Sequence, residues 1–381
     1  MILKTLRYSR SQGWSEPMPA LDGPQTLVIL FGASSYCDDN TPIRELRSHF
    51  REAILVGCSS AGEVFGDDVL DDTLVVAVAR FEHTSLRLST CAIDAVGGAG
   101  ECGTRIGGEL DATDLRGVLV LSDGLQVNGT ELVGGLTKSL GPRIPITGGL
   151  AADGSRFERT WVVAGSPEPT SGIVAAIGFY GDAVRFGHGS RGGWDTFGPE
   201  RVITRSEGNV LYELDGRPAL ALYKEYLGER AAGLPATGLL FPLAIRARFD
   251  DQNSVVRTIL AVDEAKQSMT FAGDVSEGWI ARLMKANFER LIDGAAAAAT
   301  HARREDENAL TTLAIAVSCV GRRLVLGERT EEEVEVTLEA LPTATSMVGF
   351  YSYGEISPHA DGTCDLHNQT MTLTTIQEIE R

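Results

Sequence analysis

The stretches VGCSSAGEV at residues 56–64 and VGFYSYGEI at residues 348–356 are identical at five of nine positions, and reading them as two copies of one loop decides the fold. Each is preceded by an apolar strand, TLVILFG at 26–32 and TLAIAVSC at 312–319. Each is followed by a threonine-led strand, TLVVAV at 73–78 and TMTLTT at 370–375. A middle version repeats the order with GVLVLSDG at 117–124, TGGLAADG at 147–154 and TWVV at 160–163. Nine letters alone match by chance in a chain of 381 residues; the flanking strands supply the weight. Three units, 26–64, 117–154 and 312–356, thus read as strand, amphipathic stretch, second strand and glycine-bracketed loop. Continuous β-branched runs suit strands buried on both faces. Their alternation with helices predicts an α/β fold of layered sheets and helices built from repeated β-α-β units.

Outward from these units, helices are expected at 42–50, 100–110 and 129–140, the first with Thr41 as its cap and Pro42 at its first position. Residues 186–209 break the pattern with glycines and Pro199, which marks a crossing between domains or a return strand. Beyond it, FPLAIRARF, SVVRTILAV and SMTFAGDV read as hairpin strands, and a long helix is expected over 277–299. The C-terminal half is therefore α+β, with a boundary near residue 200, and a chain of this length favours two domains.

Net charge is −18, from 34 basic and 52 acidic residues. Such a field repels phosphate backbones and anionic lipid, so neither nucleic acid nor membrane is an expected partner. No signal-peptide core or 18-residue apolar run is present, which makes a cytoplasmic location the expectation. Six cysteines without a C-x-x-C spacing read as buried thiols. The 43 glycines gather at strand ends, where backbone either turns tightly or approaches something closely.

Catalytic signatures are missing. There is no phosphate-binding G-x-x-x-x-G-K-[ST] loop and no G-x-G-x-x-G between a strand and a helix. The run from Gly57 to Ala61 has alanine where a nucleophile elbow needs its second glycine, and a strand follows instead of a helix. Cys58 as a nucleophile requires a neighbouring histidine or helix N-terminus; the other copies carry Gly149 and Phe350 there, which favours packing. His359, Asp361, Cys364, Asp365 and His367 form the densest metal-capable cluster, in a spacing of no standard zinc site that also reads as a surface turn and hairpin. His188, between glycines, suits either a haem ligand or a hydrogen-bonded histidine at a domain joint. What remains are the loops themselves. Ser59, Ser60, Gly62 and Glu63, then Asp153, then Tyr351, Ser352, Gly354 and Glu355, with His367 beside them, either cradle a small polar ligand or cap strands. In the first case the carboxylates of Glu63, Asp153 and Glu355 would hold an ammonium group.

At these loops the chain resembles the FIST-domain proteins, a bacterial sensory family with paired N-terminal and C-terminal modules. VGCSSAGEV, TGGLAADG, GNVLYELDGRPALALYKEYLG from Gly208, GFYSYGEISP from Gly349 and HNQTMTLT from His367 carry the resemblance. It implies a FIST N-like domain over 25–200 and a FIST C-like domain over 201–378. It also implies an intracellular signal-input protein, not an enzyme, that binds an amino acid or similar metabolite. Such a protein works with a histidine kinase, as in two-component systems, or with a cyclic-di-GMP enzyme. With no output domain recognised in the sequence, a separate partner protein is expected. Some members resemble haem-bound nitric-oxide sensors, for which His188 and His367 are the candidate ligands here.

Overall fold

Three strands with every residue buried organise the molecule: Thr26–Ala33, Leu115–Ser122 (Arg116 alone half-buried) and Thr312–Cys319. Such strands must be covered on both faces. The computed structural model describes residues 1–251, 253–303, 310–359 and 361–379, and in it each of the three is the middle of a six-stranded sheet. Each pairs in parallel with the second strand of its own unit, Ile54–Ser60, Ile146–Leu150 or Thr345–Ser352. On its other side each takes an antiparallel closing strand, Thr73–Arg80, Ile173–Tyr180 or Met371–Glu378.

The outer edge of each sheet is completed by an arm from a different unit. The first unit's arm, Glu63–Phe65, pairs with Thr345–Ser352 of the third. The second unit's arm, Val162–Ala164, pairs with Ile54–Ser60 of the first. The third unit's arm, Gly354–Pro358, pairs with Ile146–Leu150 of the second. The exchange is cyclic, so the duplicated units close into a pseudo-threefold body. The third unit takes the first unit's arm into its own sheet and gives its arm to the second's, despite the long sequence between them.

Side chains from the inner faces of all three sheets fill the middle of this body, among them Phe31, Cys58, Leu121, Ile177, Val317 and Phe350. Phe31 stacks on Phe350 at 4.7 Å between ring centres. Gly149 sits at the position equivalent to Cys58 and Phe350, and a Cβ there would press on Val317 and Phe350. One large, one small and one absent side chain share a space that three copies of any one residue would overfill or leave hollow. That explains why these positions differ between copies. Each large apolar side chain buried here contributes about 1.5–3 kcal/mol.

Helices cover the outside. Thr41–His49, Ala99–Leu110 and Gly129–Leu140 lie within a residue of the expected spans, although Asn40, not Thr41, is the first helix's cap. The expected long helix over 277–299 is corrected: Ile280–Lys285 is a strand, and the helix is Phe288–Ala302, begun by Asn287. Ile280 to Leu283 pair with Leu243–Arg246 on one side, and the strand pairs with Asp195–Glu207 on the other; that pairing overrides local helix preference. Residue 200 falls inside the strand Asp195–Glu207.

Residues 195–285 build a fourth, wholly antiparallel sheet with its own core, including Ile203, Leu211, Tyr223 and Phe271. Its two edge strands, Val255–Arg257 and Ile259–Asp263, are consecutive in the chain and separated by Thr258 alone. The sheet therefore curls until its edges meet at one residue. Among the described residues no helix is long and apolar enough to cross a membrane.

Candidate functional site

The three loop tips converge. Ala61 N–H donates to the Tyr351 carbonyl at 2.9 Å, Tyr353 N–H to Leu150 at 3.1 Å, and Ala152 N–H to Ser59 at 3.0 Å. By strand register these are one bond made three times around the pseudo-threefold axis. The tips thus satisfy each other's backbone groups instead of presenting them to a ligand.

Their side chains are occupied in the same way. Glu63 accepts from the Thr73 N–H at 3.0 Å and the Thr73 hydroxyl at 2.8 Å. Glu355 accepts from Thr370 N–H at 3.1 Å and its hydroxyl at 2.9 Å, and from Ser352 at 2.6 Å. Both carboxyl groups are fully buried, and burial pushes each up to about 8. Burial thus favours the neutral form of each, which makes them poor partners for an ammonium group. The expected ammonium contact finds no support at either residue.

Asp153 is not the middle copy of these glutamates. The register places Val162 there, opposite Cys58, as Glu63 stands opposite Phe350 and Glu355 opposite Gly149. Asp153 instead accepts from the N–H groups of Phe157, Glu158 and Arg159 at 2.9–3.0 Å and from the Tyr353 hydroxyl. Burial works to raise its pKa, but the bonds from Arg159, Tyr353, Glu158 and Phe157 outweigh it and hold the group below the usual range. Ser60 bonds to Gly62, Ser59 accepts from Trp161 N–H, and the Tyr351 hydroxyl reaches Glu333. Cys58 is fully buried, which raises its thiol pKa and removes it from nucleophilic chemistry.

His359 and His367 meet edge to face at 4.9 Å between ring centres, while His188 stands on another strand. His188 sits opposite Thr374 on the strand Val184–Arg191, its pKa lowered by burial. A Cβ on Gly187 or Gly189 would strike the carbonyl of Ala302 or Ala298. These glycines admit the helix Phe288–Ala302 on the face of the strand opposite the His188 side chain. His367 is buried against the Ser357 carbonyl at 3.0 Å, and burial brings it down to about 4. Neither His188 nor His367 lines the cleft beside the loop tips, so the residues present do not fit haem there. His359 bonds Asp365 at 2.7 Å, and no three metal-capable side chains gather among the described residues.

The open space lies beside the tips. A cleft of about 690 Å³ runs between the carboxyl ends of Leu115–Ser122 and Thr312–Cys319 on one wall and the seam of the curled sheet at Thr258 on the other. Ligands of α/β sheets characteristically bind outside the carboxyl ends of the strands, and the volume suits a small molecule. Leu125, Phe157, Leu260 and Leu324 line it; they are four of the seven large apolar side chains left exposed among the described residues. Phe157 stacks on Tyr353 at 4.5 Å and 9° between planes. None of the ten residues expected to bind ligand lines this cleft. Asp153 acts one step behind it, because its bonds order the loop carrying Phe157 and hold the Tyr353 hydroxyl. Gly208 and Asn209, which open the GNVLYELDGRPAL segment, do line it.

A FIST N domain matches residues 26–217 and a FIST C domain matches residues 219–358. An uncharacterised protein of Methanocaldococcus jannaschii is 26% identical over 276 residues, 65% of this chain and 51% of that protein. The chain thus spans about half of that relative's length. An uncharacterised protein of Mycobacterium tuberculosis, found in two strains, is 25% identical over 367 residues, 92% of this chain and 91% of its own. Together the two matches cover most of the chain, which therefore belongs to the FIST family of signal-transduction sensor domains.

Proposed function

We propose that the protein is a cytoplasmic signal-input module whose diffusible ligand enters the cleft between the pseudo-threefold body and the curled sheet. The observation that carries this reading is the gathering of Leu125, Phe157, Leu260 and Leu324, all exposed, around one concave space. Apolar side chains left in water at one place mark a surface kept for an occupant. The cleft has parts of the body on one wall and the curled sheet on the other, so a ligand touching both changes how strongly they hold together. A partner protein reads that change; a histidine kinase or a cyclic-di-GMP enzyme is the kind of partner the family resemblance implies. An amino acid, the ligand class first expected, meets one carboxylate here, Asp274, and no basic side chain.

The test is a thermal-shift screen of small metabolites on the wild type and on Leu260→Asp, a change at an exposed rim position. A ligand at 100 times its Kd stabilises the native state by about 2.7 kcal/mol. At least one clear stabiliser, weakened by Leu260→Asp, is the expected result. Stabilisers that ignore the substitution place the binding site elsewhere.

A further inference from the structure

Resting on the cleft as the ligand site, we infer that the molecule it takes is uncharged, mainly apolar and flat, with a hydrogen-bonding group directed at Thr258. The charged complement of the lining comes first. Asp274 is its one carboxylate, and no lysine, arginine or histidine lines the space. An anion would face a carboxylate with no cation to offset the loss of water. A cation finds Asp274 already engaged: its Oδ1 accepts from Asn128 Nδ2 at 3.3 Å. Behind it the buried Arg257 donates through Nε to the Asp274 backbone carbonyl at 3.0 Å, and the two side chains are close enough to act on each other electrostatically. Both signs of charge are answered inside the protein.

Flatness follows from Phe157. One face of its ring lies on Tyr353, nearly parallel, while the residue, which lines the cleft, is 47% exposed. A preformed aromatic stack with one face in water is a platform for a third ring.

The polar anchor is Thr258. It is 5% exposed, it lines the cleft, and its hydroxyl has no hydrogen-bond partner. Buried polar atoms in native structures are nearly always satisfied. This one stands where the two edges of the curled sheet meet, and its backbone carbonyl is already taken by Ala272 N–H. The hydroxyl is itself closed off from solvent, so a ligand N–H or O–H completes it once the Thr258 side chain turns towards the cleft that the residue lines.

The experiment uses three probes with the same ring, namely indole, tryptamine and indole-3-acetate, titrated calorimetrically into the full chain. Indole is expected to bind at least tenfold tighter than either charged analogue. Phe157→Ala and Thr258→Val are each expected to weaken it about fivefold or more. Thr258→Val is also expected to leave the melting temperature of the free protein unchanged or higher, since it removes an unsatisfied buried group; a purely structural threonine would lower it. If a charged analogue binds as tightly as indole and Phe157→Ala weakens it, the inference falls while the cleft stands. Binding of any probe that neither variant alters removes the cleft as its site. No binding by any of the three at millimolar concentration overturns the inference, and the metabolite screen then decides the cleft separately.

Discussion

Glu63 and Glu355 occupy the same position in the first and third units, and each closes its unit by gripping the threonine that begins the next strand, Thr73 or Thr370. The clamp ties the arm to the closing strand and is the most literal trace of the duplication.

Because burial raises both carboxyl groups to about 8 from an ordinary 4.5, the clamp has a pH signature. The folded state keeps protons that the unfolded chain releases above pH 4.5. The clamp's contribution is thus complete below that pH and is lost as pH rises through 8. Glu63→Gln with Glu355→Gln is expected to flatten the fall in stability between pH 5 and 8, measured by urea unfolding. An unchanged slope would show the two groups to be ionised in the native state.

At the centre of the body, Phe350→Ala removes the ring stacked on Phe31 and is expected to cost about 3–5 kcal/mol. The same packing shields Cys58. A thiol titration of the native protein is expected to show Cys37, the one partly exposed cysteine, reacting first and Cys58 only on unfolding. Rapid labelling of Cys58 would contradict the closed centre.

One wall of the cleft is the short helix Val320–Leu326, which is fixed from behind by Arg322. Its guanidinium is fully buried with Glu333, at 2.5–2.6 Å, and also donates to the Leu291 carbonyl at 2.8 Å. Glu333→Ala leaves that charge unpaired and is expected to destabilise by about 3–5 kcal/mol, with a loss of ligand response in whatever protein still folds. A stable variant with full response would show that the pair does not hold the wall.

Haemin added to the purified protein is expected to give no bound Soret band, since neither His188 nor His367 lines the cleft that could take a flat molecule. A Soret band lost in His188→Ala would reverse that reading.

The fold was legible because repetition and buried strands leave marks in composition. Short, continuous, β-branched runs such as TLAIAVSC suit interior strands, and the shared V-G-x-x-S-x-G-E pattern located the tips to the residue. The arm exchange was not legible, since three residues such as Glu63–Phe65 pair equally well with any neighbouring edge. The cleft proposed as the ligand site was not legible for a related reason. Glu63, Ser352 and Glu355 have the chemistry of ligand-binding groups, but here that chemistry is spent on Thr73, Thr370 and the backbone. The residues at the cleft, such as Leu125, Phe157, Leu260 and Leu324, look like ordinary core in sequence. Their exposure is a property of the assembled fold. The one available signal was the GNVLYELDGRPAL segment, whose first two residues reach the cleft.

The most direct test of the cleft is amide hydrogen exchange of the protein with and without a stabiliser from the metabolite screen. The account predicts slowed exchange in 124–129, 208–209, 258–260 and 319–324, with the tips at 59–63 and 352–355 unchanged. Protection confined to the tips, with no change along the cleft, would contradict it.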